Sequence, residues 1–160
     1  MLERAEILAR LPHRPPFLFV DRAEVLEPGT SATGMTTFAA DNPVFAGHFP
    51  GAPIVPGVIL VECVAQVAAI MLSSAGDADD SAGARYAGKV LAKVESAVFT
   101  APVGPGDTIC SDVRLVRRLG DFVKVEGRIR IDDRPVMRAT LVLCDTASSR
   151  AGGEDGGDAG

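Results

Sequence analysis

His48 and Glu62 are the residues of this 160-residue chain best suited to move protons near neutral pH. Between them lie Pro50, Gly51, Pro53, Pro56 and Gly57. Imidazole titrates close to neutrality, which suits a base. Glu62 stands inside the apolar run Val58 to Leu72, 15 residues whose only polar side chains are Glu62 and Gln66. Burying an unpaired carboxylate is expensive, so a protein either keeps a proton on such a group or gives it a partner. A carboxyl held that way is what a general acid requires. Glu62 and Gln66 are four residues apart, hence neighbours on one helical stripe. Taken singly, each has a plainer reading. The stripe can face a wet crevice or a subunit interface, and a histidine in a rigid loop can be structural.

Pro56-Gly57 joins the two residues into a candidate site. Proline at a helix start leaves free backbone N–H groups, with the positive end of the helix dipole behind them. Such groups polarise a carbonyl oxygen, and Gly57 admits close approach of a ligand to the backbone. Base, acid and oxyanion site within one short window suit proton abstraction beside a thioester carbonyl, with loss of a β-hydroxyl.

The elements that must position these groups follow from pattern. Pro56-Gly57 opens a helix running to about Ser74, preceded by an irregular loop over 41–57. A short helix is expected over 3–9, a strand over Phe17–Glu27 and a return strand over Ser31–Phe38. Further strands read as Arg85–Val94, Glu95–Thr100, Thr108–Leu119, Phe122–Ile131 and Pro135–Cys144, with turns at Gly104–Asp107, Leu119–Asp121 and Asp132-Asp133. One long helix and a run of antiparallel strands make an α+β domain over 1–145. A helix apolar almost all round must be enclosed on most sides. A curved antiparallel sheet wrapped around it, the hot-dog arrangement, meets that need. The edge strands such a sheet keeps favour a dimer. The acidic segment 76–83 reads as a mobile loop, and 146–160 as a disordered acidic tail.

Composition excludes several classes. The apolar run is short of the roughly 20 residues that span a bilayer. The N-terminus lacks the basic-then-apolar pattern of a signal peptide, so the cytoplasm is the expected compartment. Cys63, Cys110 and Cys144 form no C-x-x-C pair, and two histidines cannot build a multi-histidine site, so reduced, mostly buried thiols and no metal are expected. Aromatic residues are 5% and no nucleic-acid motif is present. The net charge of −5 hides an asymmetry: 4 basic and 10 acidic residues over 1–84, against 12 basic and 8 acidic over 85–150. A basic C-terminal half can attract an acidic partner, although charges on strands usually just face water.

Three stretches carry a specific resemblance: Leu11-Pro-His-Arg-Pro-Pro-Phe-Leu-Phe-Val-Asp-Arg22; Phe45-Ala-Gly-His-Phe-Pro50 with Pro53-Ile-Val-Pro-Gly-Val58, Glu62 and Gln66; and Pro102-Val-Gly-Pro-Gly-Asp107. Over roughly residues 5–145 the chain resembles the (3R)-hydroxyacyl-acyl carrier protein dehydratases of fatty-acid synthesis. The resemblance implies a hot-dog fold, a dimer or trimer of dimers, no cofactor, and a substrate tethered to carrier-protein phosphopantetheine. It makes His48 and Glu62 the catalytic pair, meeting across the dimer interface, and the Gly57 N–H the thioester-polarising group. Phe49, Val58 and Gln66 are expected to contact substrate. The histidine serves either one protonation or both, with Glu62 then orienting the departing water. Glutamate rather than aspartate at 62 favours plain dehydration over dehydration with isomerisation. Two positions depart from the pattern. Val55 stands where methionine is common, and Glu95–Ala101 lacks the usual basic residues. Carrier docking is therefore expected at Arg85, Lys89, Lys93 or Arg114–Arg118. Acyl length would be set by the tunnel beside Ile59, Cys63, Ala68 and Phe99. A hot-dog thioesterase and a non-catalytic acyl-binding domain are the rival readings.

Overall fold

The apolar run after Pro56 forms one helix, α2 (Gly57–Ser73), in a computed structural model that describes residues 1–74 and 89–145. Its end is closed by hydroxyls: Ser73 Oγ donates to the Ile70 carbonyl at 2.5 Å and Ser74 Oγ to that of Met71 at 2.6 Å. From Leu60 to Ser73 every residue except Glu62 is buried. The enclosure expected of an all-round apolar helix is thus met, with Val58 at the first turn left 75% exposed. A shorter helix, α1 (Arg4–Arg10), lies beside α2, burying Ile7 and placing Arg10 Nη1 3.4 Å from Ser73 Oγ.

The enclosing layer is a six-stranded sheet. Its strands are β1 (Arg22–Glu27), β2 (Ser31–Thr37), β3 (Lys89–Phe99), β4 (Thr108–Leu119), β5 (Phe122–Ile131) and β6 (Arg134–Asp145). Their order is β1-β2-β4-β5-β6-β3, and every neighbouring pair is antiparallel. α2 touches all six strands. Alternation along β5 sends Val123, Val125, Gly127 and Ile129 to the core, as the period of two requires.

Helix and sheet meet most tightly at two glycines. A Cβ on Gly127 would run into the Val64 side chain, and one on Gly34 into that of Val67. Val64 and Val67 are three apart, so they form one ridge of α2 pressed between β5 and β2. Glycine is required there by space, not by backbone angle.

The expected elements recur with two corrections. The strand read from Phe17 begins at Arg22, because the backbone at 17–19 is bonded to a side chain of α2 instead: Phe19 N donates to Gln66 Oε1 at 3.0 Å. The two runs read on either side of Val94 are one strand, β3. Register shifts between Leu91 and Lys93 and between Val94 and Ser96 change the phase of alternation, which in sequence resembles a break. The hairpin at Asp132-Asp133 forms as read, with Asp132 at φ 49°. Segment 76–83, the tail 146–160 and Arg85 lie outside the described residues.

β3 bonds only to β6, so its other edge is free among the described strands. Val90, Leu91, Val94, Val98 and Phe99 along it are all exposed. An apolar open edge is the feature that soluble monomers avoid.

Gly127→Ala and Gly34→Ala should each lower the stability of the fold by about 1–3 kcal/mol, the usual penalty of overpacking. Urea midpoints unchanged from wild type would show that α2 does not press on the sheet at these points.

Candidate active site

The loop carrying His48 is fixed at three levels. Phe38 N donates to the Asp107 carbonyl at 3.0 Å and Gly106 N to that of Phe38 at 2.7 Å, which ties the loop's start to the turn over 102–107. Asn42 Oδ1 accepts from Val44 N at 3.0 Å and caps a single 3-10 turn, Pro43–Phe45, whose Phe45 ring is buried. Val55 N then donates to the Val103 carbonyl at 2.8 Å. Between these anchors the chain turns through Gly51, at φ 82°. Ile54 N donates to the His48 carbonyl at 2.9 Å.

The His48 side chain closes the same loop, with Nδ1 3.0 Å from the Ile54 carbonyl. A carbonyl only accepts, so Nδ1 carries the hydrogen and Nε2 keeps its lone pair. His48 is thereby held in the tautomer a base needs. Phe49 stacks on its ring, centroids 4.1 Å apart, and is itself 52% exposed.

His48 lines a groove of about 530 Å³ with Gly57, Leu60, Phe99 and the segment 100–103. Gly57 is the first residue of α2, where amides have no acceptor within the helix. The Phe99 ring sits 2.9 Å from where a Cβ on Gly57 would be. The groove therefore narrows against a bare helix start, where a carbonyl oxygen can reach backbone N–H groups. Phe49 faces the adjoining surface with Ala40 and Pro53, and neither it nor Val58 lines this groove.

Glu62 is one turn further along α2 and does not line the His48 groove. Its side chain is 18% exposed. Oε1 accepts from Gln66 Nε2 at 2.9 Å and lies 3.3 Å from His13 Nε2. Gln66 is fully buried, with both ends of its amide engaged: Oε1 receives Phe19 N, and Nε2 also donates to the Phe17 carbonyl at 2.9 Å. Within one protomer the candidate residues fall into two groups. His48 and Gly57 share a groove; Glu62 and Gln66 share a stripe under residues 13–19. His13 is the residue that sequence reasoning passed over, since its place in the Leu-Pro-His-Arg stretch has no periodicity to show where it points.

The remaining chemistry-bearing residues stand apart. Burial pushes the Cys63 thiol up to about 12, which leaves it unreactive. Cys110 and Cys144 are only partly buried. Among the described residues no three potential metal ligands gather, and no helix is long and apolar enough to cross a membrane. Of the basic residues considered for docking, Arg114 is paired with Glu126 at 2.6 Å, and Arg118 reaches the Gly29 carbonyl at 3.4 Å.

An antiparallel sheet wrapped about one enclosed helix, with a loop histidine at the helix start, defines a hot-dog protein. Solved structures share the fold. The dehydratase heterocomplex ApeI:P from Xenorhabdus doucetiae matches with a TM-score of 0.59 at 21% identity, over 77% of this chain and 94% of that one. Cj0977, a virulence protein from Campylobacter jejuni, matches with a TM-score of 0.65 at 12% identity, over 89% of each chain. Residues 11–140 match the FabA-like domain family. The 3-hydroxyacyl-(acyl-carrier-protein) dehydratase FabZ of Caulobacter vibrioides is 39% identical over 140 residues, 86% of this chain and 84% of that protein. That of Syntrophotalea carbinolica is 42% identical over 142 residues, 88% of this chain and 92% of that protein. The chain belongs to the FabA-like family, within its 3-hydroxyacyl-acyl-carrier-protein dehydratases.

The bond from Nδ1 to a carbonyl has a spectroscopic consequence. Long-range ¹H–¹⁵N spectra should show His48 as the Nδ1–H tautomer above pH 8. An Nε2–H pattern would remove its lone pair from the position assigned here.

Proposed function

We propose that the protein removes water from (3R)-3-hydroxyacyl thioesters on an acyl carrier protein, giving the trans-2-enoyl thioester, and that it does so at sites shared between two protomers. The observation that carries this reading is the His48 tautomer: a basic Nε2 on a residue lining the groove that ends at the bare start of α2. The substrate carbonyl sits against the Gly57 N–H, which steadies negative charge on its oxygen as the C2–H bond breaks. His48 Nε2 takes that C2 proton. The electron pair left on C2 forms the C2–C3 double bond, and the C3–O bond breaks. A proton from a carboxyl completes the departing water.

That carboxyl is the partner subunit's Glu62. Within one protomer Glu62 faces residues 13–19 and stays off the His48 groove. The free apolar edge of β3 supplies the means of pairing: two such edges joined about a two-fold axis extend both sheets and cover Val90, Val94 and Val98. Phe99, at the end of the same strand, borders the groove, so a β3–β3 junction runs beside the site. The dimer is the smallest active unit, and a trimer of dimers repeats it. The relatives' names point to a carrier-bound substrate. The reading assigns the enzyme to the cytoplasm with its carrier.

His48→Ala and Glu62→Gln should each lower turnover of a 3-hydroxyacyl carrier substrate by roughly 10²–10⁴-fold, the range for lost acid–base groups. Unfolding and refolding the two inactive variants together should restore about a quarter of wild-type turnover, since half the dimers are mixed and each mixed dimer keeps one intact site. No recovery, with mixed dimers demonstrated by mass, would place both groups in the same protomer. Release of free thiol without enoyl product would make the protein a thioesterase instead.

A further inference from the structure

Two side chains converge on one oxygen of Glu62, and one of them is Gln66, whose Nε2 donates to it at 2.9 Å. The other is His13, whose Nε2 lies 3.3 Å from Oε1. Its segment, between α1 and β1, is held at several points. Arg14 Nη1 donates to the carbonyls of Leu11 and His13, each at 2.8 Å. Phe17 stacks on the His13 ring at a centroid distance of 6.5 Å. Gln66 binds the backbone at both Phe17 and Phe19. The imidazole is therefore placed by its surroundings rather than by its contact with Glu62.

The second ring nitrogen decides which way that contact runs. His13 Nδ1 is buried and has no hydrogen-bond partner among the described residues. A buried N–H without an acceptor is among the rarest defects in folded proteins, and a buried lone pair without a donor is easier to tolerate. The arrangement is best satisfied with the hydrogen on Nε2 and none on Nδ1, so that the ring nitrogen nearest Glu62 is the protonated one. Gln66 Nε2 then donates to Oε1, and the protonated His13 Nε2 lies within ion-pair distance of the same oxygen. Oε2 has no partner among the described residues.

We propose that His13 is a positioning residue of the dehydratase site: beside the Gln66 hydrogen bond, its approach to Oε1 fixes the rotation of the carboxyl and reserves Oε2 as the oxygen that carries a proton to the substrate hydroxyl. His13 itself never touches substrate. The proposal rests on the reading of Glu62 as the acid, and the two are separable by experiment.

Wild-type enzyme, Glu62→Gln, His13→Phe and His13→Gln are compared on the same 3-hydroxyacyl carrier thioester. Enoyl product from wild type and its loss in Glu62→Gln test the underlying reading alone. His13→Phe keeps the ring's bulk and removes the donor. It should lower kcat by roughly 10- to 100-fold, the scale on which groups orienting a reactive side chain act, with KM changed by no more than about twofold. His13→Gln carries an amide N–H that can reach Glu62 and should recover most of that loss. In wild type, the ¹⁵N spectrum should show His13 as the Nε2–H tautomer, opposite to His48. Wild-type kcat in His13→Phe, equal loss in His13→Gln, or an Nδ1–H pattern for His13 would each overturn the proposal. If His13→Phe does not fold, His13→Gln turnover and the wild-type tautomer decide.

Discussion

Enclosure of α2 is the constraint on which the rest of the molecule depends. A helix with apolar side chains around nearly its whole circumference has no face to offer water. The sheet meets that demand by touching α2 from every strand, and it comes close enough that Gly34 and Gly127 cannot carry a side chain. The same enclosure makes Glu62 chemically unusual. On an exposed helix it would be one more solvated carboxylate. On α2 it is drawn into a network with Gln66, His13 and the backbone of residues 17–19. Fold and chemistry thus share a cause, because the helix that builds the core also carries Glu62.

The histidine is held by a different principle. Its loop contains no long element, and its order comes from prolines, from short hydrogen bonds to the 102–107 turn and from a side-chain bond back to its own backbone. A base in such a loop keeps its orientation without being buried. The two groups are therefore held by opposite means: a carboxyl immobilised by a core, and an imidazole immobilised by a knot of turns at the edge of a groove.

Much of this was legible in the residues. Pro56 and the run to Ser74 marked α2 nearly to its ends, because proline at a helix start and an unbroken apolar stretch leave little choice. Asp132-Asp133 and Gly120 marked hairpins for equally local reasons. The Gly-His-Phe-Pro and Pro-Gly-Val stretches placed His48 and Gly57 in one neighbourhood, and the structure puts both on one groove. Other features depend on contacts that sequence spacing does not display. The late start of β1 follows from Gln66 taking the Phe19 amide, an interaction across 47 positions. The single strand β3 was disguised by its two register shifts. That Glu62 meets Gln66 and His13 and does not line the His48 groove depends on contacts that no local pattern states.

The contact between Phe99 and the start of α2 also says where the groove's width can be tuned. Because Gly57 offers no side chain, the width of the groove at that point is determined by a residue of β3 and not by the helix. Exchanging that one aromatic ring would therefore change the groove's width at the strand end. The helix, its carboxyl and its first amides would stay where they are.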